Sequence, residues 1–187
     1  AEHPLTMENL QAKYVSAKEI LTHCSTVTNN EDMHNYIIGK GEFGLPQRLN
    51  EINKVLNGTP FTVSYRVMNE LTIYLAVLLD QAEEEGKEIT FDSFKQYVET
   101  AIDRILLMKI LPRVEGDDEM FHISDKERNA NELSDQAEDG HEFTKLDWLR
   151  QIAPQHNEDN QNEYMAVDKL AEMIERLNRQ SFTRFWP

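Results

Sequence analysis

The stretch that decides the fold covers residues 91–108 and reads FDSFKQYVETAIDRILLM. Its apolar residues recur at helical spacing, and residues 105–108 are apolar without interruption. A helix that is apolar on every side has to be covered by its neighbours. We therefore predict that this helix is central to an all-α bundle and that Pro112 ends it. The side chains predicted to line its core face are Phe91, Phe94, Val98, Ala101, Ile102 and Ile105.

Helical periodicity outside this stretch predicts several further helices, and no β-type alternation is long enough for a confident strand. Four longer helices are expected at residues 6–23, 45–57, 63–85 and 165–179. Ser124-x-x-Glu127 and Thr144-x-x-Asp147 are typical of helix starts and predict shorter helices at 124–138 and 144–152. The polar and glycine-containing residues 24–44 are predicted to be irregular, and residues 157–162 to form a loop.

The charge of the chain is unevenly distributed. The formal net charge is −15, of which residues 113–163 carry −10, whereas residues 164–187 carry +1. A duplex-DNA clamp needs clustered Lys and Arg, so this composition argues against direct nucleic-acid binding. We divide the chain into an N-terminal helix and linker (1–44), a helical core (45–113), an acidic segment that has the character of an insertion (114–164), and a closing helix with an aromatic end (165–187).

The compartment is predicted from features that the sequence lacks. It contains no apolar run long enough to span a membrane and no signal peptide, and its single Cys24 rules out an internal disulfide framework. The chain begins at Ala1 rather than Met. We expect a fragment of a longer cytoplasmic protein.

Two pairs of short stretches, far apart in the chain, carry a family resemblance. The first pair is FTVSYRVMNE at 61–70 and KILPR at 109–113; the second is KLAEMIERL at 169–177 and FTRFWP at 182–187. In this order and spacing they resemble the helical lid region of McrB-like AAA+ motor ATPases. The resemblance covers residues 45–113 and 165–187 and implies a bundle of the AAA+ lid type.

The resemblance implies a non-catalytic lid that works only with the missing AAA+ core in cis. Arg66 would be the sensor-type Arg that contacts the nucleotide, and Tyr65 would be a further nucleotide contact. The parent protein would use NTP and Mg²⁺, assemble with neighbouring subunits in a ring, and act with a nuclease subunit in DNA restriction or phage defence. Because no G-x-x-x-x-G-K-[ST] phosphate loop occurs in the chain, we expect no catalysis, cofactor or metal in this chain alone.

Simpler structural readings compete with these assignments. Arg66 could form a salt bridge with Glu70 one helical turn away. Lys109 and Arg113 suit a helix C-terminus and need no ligand. Phe182, Phe185 and Trp186, which we call the aromatic tail, could staple the last helix to the bundle or dock a partner subunit. The alternative function is therefore a free-standing helical adaptor that binds a protein partner through its acidic surface and its aromatic tail.

Signals for catalysis or metal binding are weak. Asp117-Asp118-Glu119 could bind a divalent cation, and an enzyme with an acidic metal site in residues 115–142 is a third hypothesis, but acidic runs are usually solvated. The six histidines are scattered without zinc-type spacing. Gly39-x-Gly41-x-x-Gly44 matches a dinucleotide fingerprint as a string, but no strand is predicted before it, so a loop is the better interpretation.

Overall fold

The computed structural model describes residues 27, 29–40, 43–156 and 164–187. It is predominantly helical, which confirms the prediction of an all-α bundle. The predicted helix at 6–23 and the predicted loop at 157–162 lie outside the described residues. None of the described helices has the length and apolarity that crossing a bilayer requires.

The described residues of the chain form two compact units. One unit is drawn from Ala1–Asn53 and Val63–Ile105, and the other from Lys54–Thr62 and Leu106–Pro187. The predicted functional segments 45–113 and 114–164 divide the sequence differently, and as functional segments they stay a prediction.

The described part of the first unit contains four helices: α1 (Glu31–Ile38), α2 (Leu45–Val55), α3 (Tyr65–Glu84) and α4 (Phe91–Ile105). The last two residues of α2 belong to the second unit. Helices α3 and α4 pack against each other, and α1 also contacts α4. The predicted helices at 45–57 and 63–85 are confirmed within two residues at each end. The core face predicted for α4 is also confirmed, except that Phe91 at its start is only half-buried.

The prediction that residues 24–44 are irregular is wrong over α1. Asn30 Oδ1 accepts hydrogen bonds from the backbone N–H groups of Asp32 and Met33, both at 3.1 Å, so the asparagine caps a helix instead of making a turn. Gly39, at φ 68°, ends this helix in the left-handed region. Met33 and Ile37 are its buried residues, and a helix of eight residues is too short to show a repeated helical period.

A charged and aromatic cluster joins α1, α2 and α4 inside the first unit. Arg48 donates to both carboxylate oxygens of Glu99, at 3.3 and 3.0 Å, and to Glu51 at 3.2 Å. The Tyr36 ring meets Phe94 edge-on, with centroids 5.8 Å apart. Burial and the Glu99 carboxylate raise the pKa of Tyr36 above its usual value of 10.0, although Arg48 acts in the opposite direction.

The raised pKa of Tyr36 predicts a loss of stability at alkaline pH. The folded protein holds this phenolic proton more tightly than the unfolded chain does, so the stabilisation is complete below pH 10.0 and is lost as pH rises through the folded pKa. Tyr36→Phe should reduce the fall of the urea midpoint in that range. Glu99→Gln should lower the pKa of Tyr36, measured by the ultraviolet absorbance of tyrosinate; an unchanged titration would contradict the assigned cause.

The second unit contains residues 54–62, and its longer part begins with a π-helical turn (Leu106–Ile110) and a 3₁₀ turn (Leu111–Arg113). These are followed by β1 (Glu115–Asp117), α5 (Asp118–Phe121), α6 (Asp125–Ala130), α7 (Lys145–Ile152), α8 (Met165–Gln180) and β2 (Phe182–Arg184). Helix α8 packs against α7 and contacts the π turn. All five residues predicted to face inward on α8 are buried: Val167, Leu170, Met173, Ile174 and Leu177.

Three features of the second unit depart from the predictions. Strands β1 and β2 pair antiparallel, with Gly116 opposite Thr183, but three residues each are too few to show alternation. The apolar run at 105–108 is not covered on every side, because Met108 is half exposed where the helix widens into the π turn. The helix predicted at 124–138 is confirmed only over α6, whose N-cap is Ser124 as expected.

Candidate functional site

The aromatic tail lies against α8 and is held there through its backbone. Arg176 of α8 donates one hydrogen bond to the carbonyl oxygen of Arg184 at 2.8 Å and another to that of Trp186 at 2.9 Å. Arg184 in turn donates to the carbonyl oxygen of Pro187 at 2.8 Å. Pairing of β2 with β1 fixes Phe182 opposite Asp117. The backbone of the tail is therefore fixed against α8 and β1, and the stapling interpretation stays a prediction.

Two side chains of the aromatic tail, those of Trp186 and Phe182, are exposed, whereas that of Phe185 is half-buried. Trp186 is 61% exposed and Phe182 is 45% exposed. The Phe185 and Trp186 rings meet edge-on with centroids 4.8 Å apart, and the Lys169 ammonium lies 5.0 Å from the centroid of the Phe185 ring. This surface combines aromatic rings with the cationic groups of Lys169, Arg176 and Arg184.

Tyr65 and Arg66 are the first two residues of α3, in the first unit. The Arg66 side chain is exposed, and in the described part of the chain no ion pair connects it with Glu70. Tyr65 is half-buried, and its hydroxyl oxygen is shielded from solvent. Arg66 is therefore accessible from solvent, whereas Tyr65 contributes to the packing at the start of α3.

The other residues that the sequence singled out lie in places that local structure explains. Lys109 and Arg113 are exposed at the ends of the π and 3₁₀ turns. Asp117 caps α5 by accepting a hydrogen bond from the Met120 N–H at 3.0 Å. Across residues 27, 29–40, 43–156 and 164–187, no three His, Cys, Asp or Glu side chains are grouped so as to hold a metal ion. Gly39 follows a helix, not a strand.

Sequence reasoning missed two buried cations in the acidic segment. Lys145 is 5% exposed, and its ammonium donates to Glu127 at 2.7 Å and to the carbonyl oxygens of Asn57 at 3.1 Å and Val55 at 3.4 Å. Arg128 is buried as well; it donates to the carbonyl oxygens of Ser134 and, at 3.2 Å, of Phe143. Part of this acidic segment is therefore packed around fixed positive charges.

Removal of the Lys145 ammonium should destabilise the protein strongly. Lys145→Met would leave Glu127 and two backbone carbonyl groups without their donor, which costs about 3 kcal/mol for a buried pair of this kind. The control Lys126→Met removes an exposed ammonium of α6 and should change stability by less than about 0.5 kcal/mol. Urea denaturation measures both; equal midpoints for the two variants would contradict a structural role for Lys145.

The acidic segment also contains a histidine between two carboxylates. His141 Nε2 lies 3.0 Å from Asp147 Oδ1, and its Nδ1 faces Asp139. The other oxygen of Asp147 accepts hydrogen bonds from the backbone N–H and the hydroxyl of Thr144, at 2.9 and 2.7 Å, at the start of α7. The predicted Thr144-x-x-Asp147 helix start is confirmed, and it also orients the imidazole. Asp139, His141 and Asp147 border a cavity of about 560 Å³.

A family model matches residues 16–182 of the chain and is described as a domain of unknown function (DUF8727). The chain belongs to this family. The match runs through both units and includes the whole acidic segment of this DUF8727 domain. No curated protein and no solved structure matches the chain.

Proposed function

We propose that this DUF8727 domain is a non-catalytic protein-interaction module that docks a partner through the aromatic tail. The observation that carries the proposal is Trp186, which is 61% exposed on a backbone fixed by Arg176. Large aromatic side chains dominate binding energy when a partner buries them. A backbone that is already ordered lowers the entropy cost of docking.

The charges around the aromatic tail indicate the chemistry of the partner. Residues 164–187 carry a net charge of +1 in a chain of −15. The Lys169 ammonium lies over the Phe185 ring and is also paired with Glu172 at 2.7 Å, and Arg176 and Arg184 donate to backbone carbonyl oxygens of residues 184–187. Complementary potentials favour correct partners and speed their encounter. The partner that fits is a protein surface with an apolar pocket for Trp186 and carboxylates at its rim, and we propose that the two proteins meet in the cytoplasm.

The test begins with photo-crosslinking at position 186 in the natural host, with position 43 as the control site. Phe43 is 78% exposed in the first unit and lies outside the aromatic tail. The partner that is crosslinked at 186 and not at 43 is then purified, and its affinity is measured directly. Trp186→Ala should weaken binding by about 2 kcal/mol, roughly 30-fold, because the anchor is lost.

Phe43→Ala should leave that affinity unchanged, because the residue is remote in sequence from the tail. Undiminished binding by Trp186→Ala, or the absence of any adduct specific to position 186, would overturn the docking proposal. If the crosslink at position 186 joins two copies of this chain, the partner is a second copy of the chain and not another protein. Sedimentation velocity would then detect the dimer.

A second candidate is the lid of a McrB-like AAA+ NTPase, and the exposed Arg66 favours it. A guanidinium that is accessible at the first turn of a helix suits a phosphate group supplied by a separate core. On this proposal the core, with its NTP and Mg²⁺, lies in the same polypeptide, and ring neighbours and a nuclease subunit complete the assembly.

The lid proposal predicts that the isolated chain does not bind nucleotide, whereas Arg66 affects NTP turnover in the longer protein. The isolated chain should bind nucleotide negligibly by calorimetry. In the longer protein, Arg66→Ala should lower NTP turnover by about ten-fold or more, because charge on the transferred phosphate loses its partner. The control Arg113→Ala removes another exposed guanidinium and should have little effect. Full turnover in Arg66→Ala, with the fold intact, would eliminate Arg66 as a sensor.

A further inference from the structure

Helix α3 exposes two apolar side chains on one face, in the middle of its 20 residues. Ile73 is 41% exposed and Val77 is 47% exposed. They are one helical turn apart, so they are neighbours on the helix surface. The opposite face of α3 is buried through Leu71, Leu75 and Leu79. We call the exposed pair the α3 patch, because a contiguous apolar patch, unlike a single apolar residue, is typical of an interaction surface.

Two exposed charges of opposite sign lie at equal distances from the α3 patch. Position 75 is midway between Ile73 and Val77, and it is also midway between Arg66 and Glu84. Arg66 and Glu84 are five helical turns apart, or about 27 Å along the axis, so both side chains lie on the face of the patch. Among the described residues, neither forms an ion pair. The face therefore has a cation at one end, an anion at the other and apolar side chains between them.

This symmetric spacing makes the face complementary to itself. A two-fold axis at position 75, perpendicular to the helix, lays a second copy of α3 antiparallel across the first. Ile73 then packs beside the partner's Val77, and Arg66 meets the partner's Glu84 once on each side of the axis. A parallel arrangement would instead bring the two Arg66 side chains together and the two Glu84 side chains together, which is unfavourable.

The acidic residues beside the α3 patch are also compatible with antiparallel pairing. At 100° per residue, Glu70 and Asp80 lie on opposite flanks of the exposed face. The same two-fold axis therefore brings Glu70 to the partner's Gln81, and Asp80 to the partner's Asn69. Side-chain amides can donate hydrogen bonds to carboxylates. The antiparallel arrangement thus avoids placing like charges directly opposite each other.

We propose that two copies of this chain associate through antiparallel α3 helices. The complementary charges are symmetric about the centre of the chain's own apolar patch, and this symmetry favours a second copy over another protein. Because two apolar side chains from each copy make a small interface, the dimer is weak and reversible. The proposal goes beyond docking through the aromatic tail. It also engages Arg66 with a carboxylate, where the lid candidate assigns it to a phosphate.

Sedimentation velocity on a dilution series of the full chain tests the proposal by charge reversal. The parent chain should show a monomer–dimer equilibrium. Arg66→Glu and Glu84→Arg should each weaken dimerisation by about ten-fold or more, because two attractive pairs become repulsive. An equimolar mixture of these two variants should dimerise as the parent chain does, because each chain supplies the sign of charge that the other lacks.

Three further variants serve as controls. Val77→Asp should abolish the dimer while circular dichroism remains that of the parent chain, because the residue is exposed. Arg113→Glu reverses an exposed guanidinium outside α3 and should leave the dimer intact. Trp186→Ala should also leave it intact, which separates this interface from the aromatic tail.

Four outcomes would overturn the proposal. The first is a parent chain that stays monomeric at every concentration. The second is a mixture of Arg66→Glu and Glu84→Arg that dimerises no better than either variant alone. The third is an undiminished dimer in Val77→Asp. The fourth is a dimer that Arg113→Glu or Trp186→Ala weakens as much as Arg66→Glu does.

Discussion

The second unit depends on the buried ammonium of Lys145. Its three acceptors come from the end of α2, from the loop that follows α2, and from α6, so one charged group joins segments that are about 90 positions apart in the chain. Closing a loop of that length costs conformational entropy that short-range contacts do not repay. A buried charge that is fully hydrogen-bonded also fixes the register of the elements around it, because each misplaced alternative leaves that charge without partners.

The sequence predicts the elements whose apolar residues repeat over at least three turns. Helices α2, α3, α4 and α8 all satisfy this condition, and their buried faces follow from spacing alone. Helix α1 and the β1–β2 pair do not, because eight residues in one case and three per strand in the other contain too few periods. The π turn could not be predicted for a different reason. The apolar spacing of residues 106–110 is the same in an α-helix, and the wider π turn depends on how these residues pack.

In the candidate sites, too, the sequence predicts contacts between neighbouring residues but not contacts between distant segments. The capping residues Ser124 and Thr144 act within three or four positions, so the sequence identified both helix starts. The buried state of Lys145 depends on carbonyl groups at positions 55 and 57, which no local pattern reveals. The cavity beside His141 likewise requires a loop and a helix to meet.

The two tryptophans differ in burial, and this difference supports the proposal that the aromatic tail docks a partner. Trp148 is 7% exposed and contributes to the core of its unit, as burial of apolar area would favour for any tryptophan. Trp186 forgoes most of that gain, although its backbone lies against α8. The Arg176 guanidinium binds carbonyl oxygens of the tail and therefore orders the main chain without using the Trp186 side chain. A tail that served only to staple α8 would gain more by burying the indole. Its exposure on an ordered backbone is the arrangement that a docking surface requires.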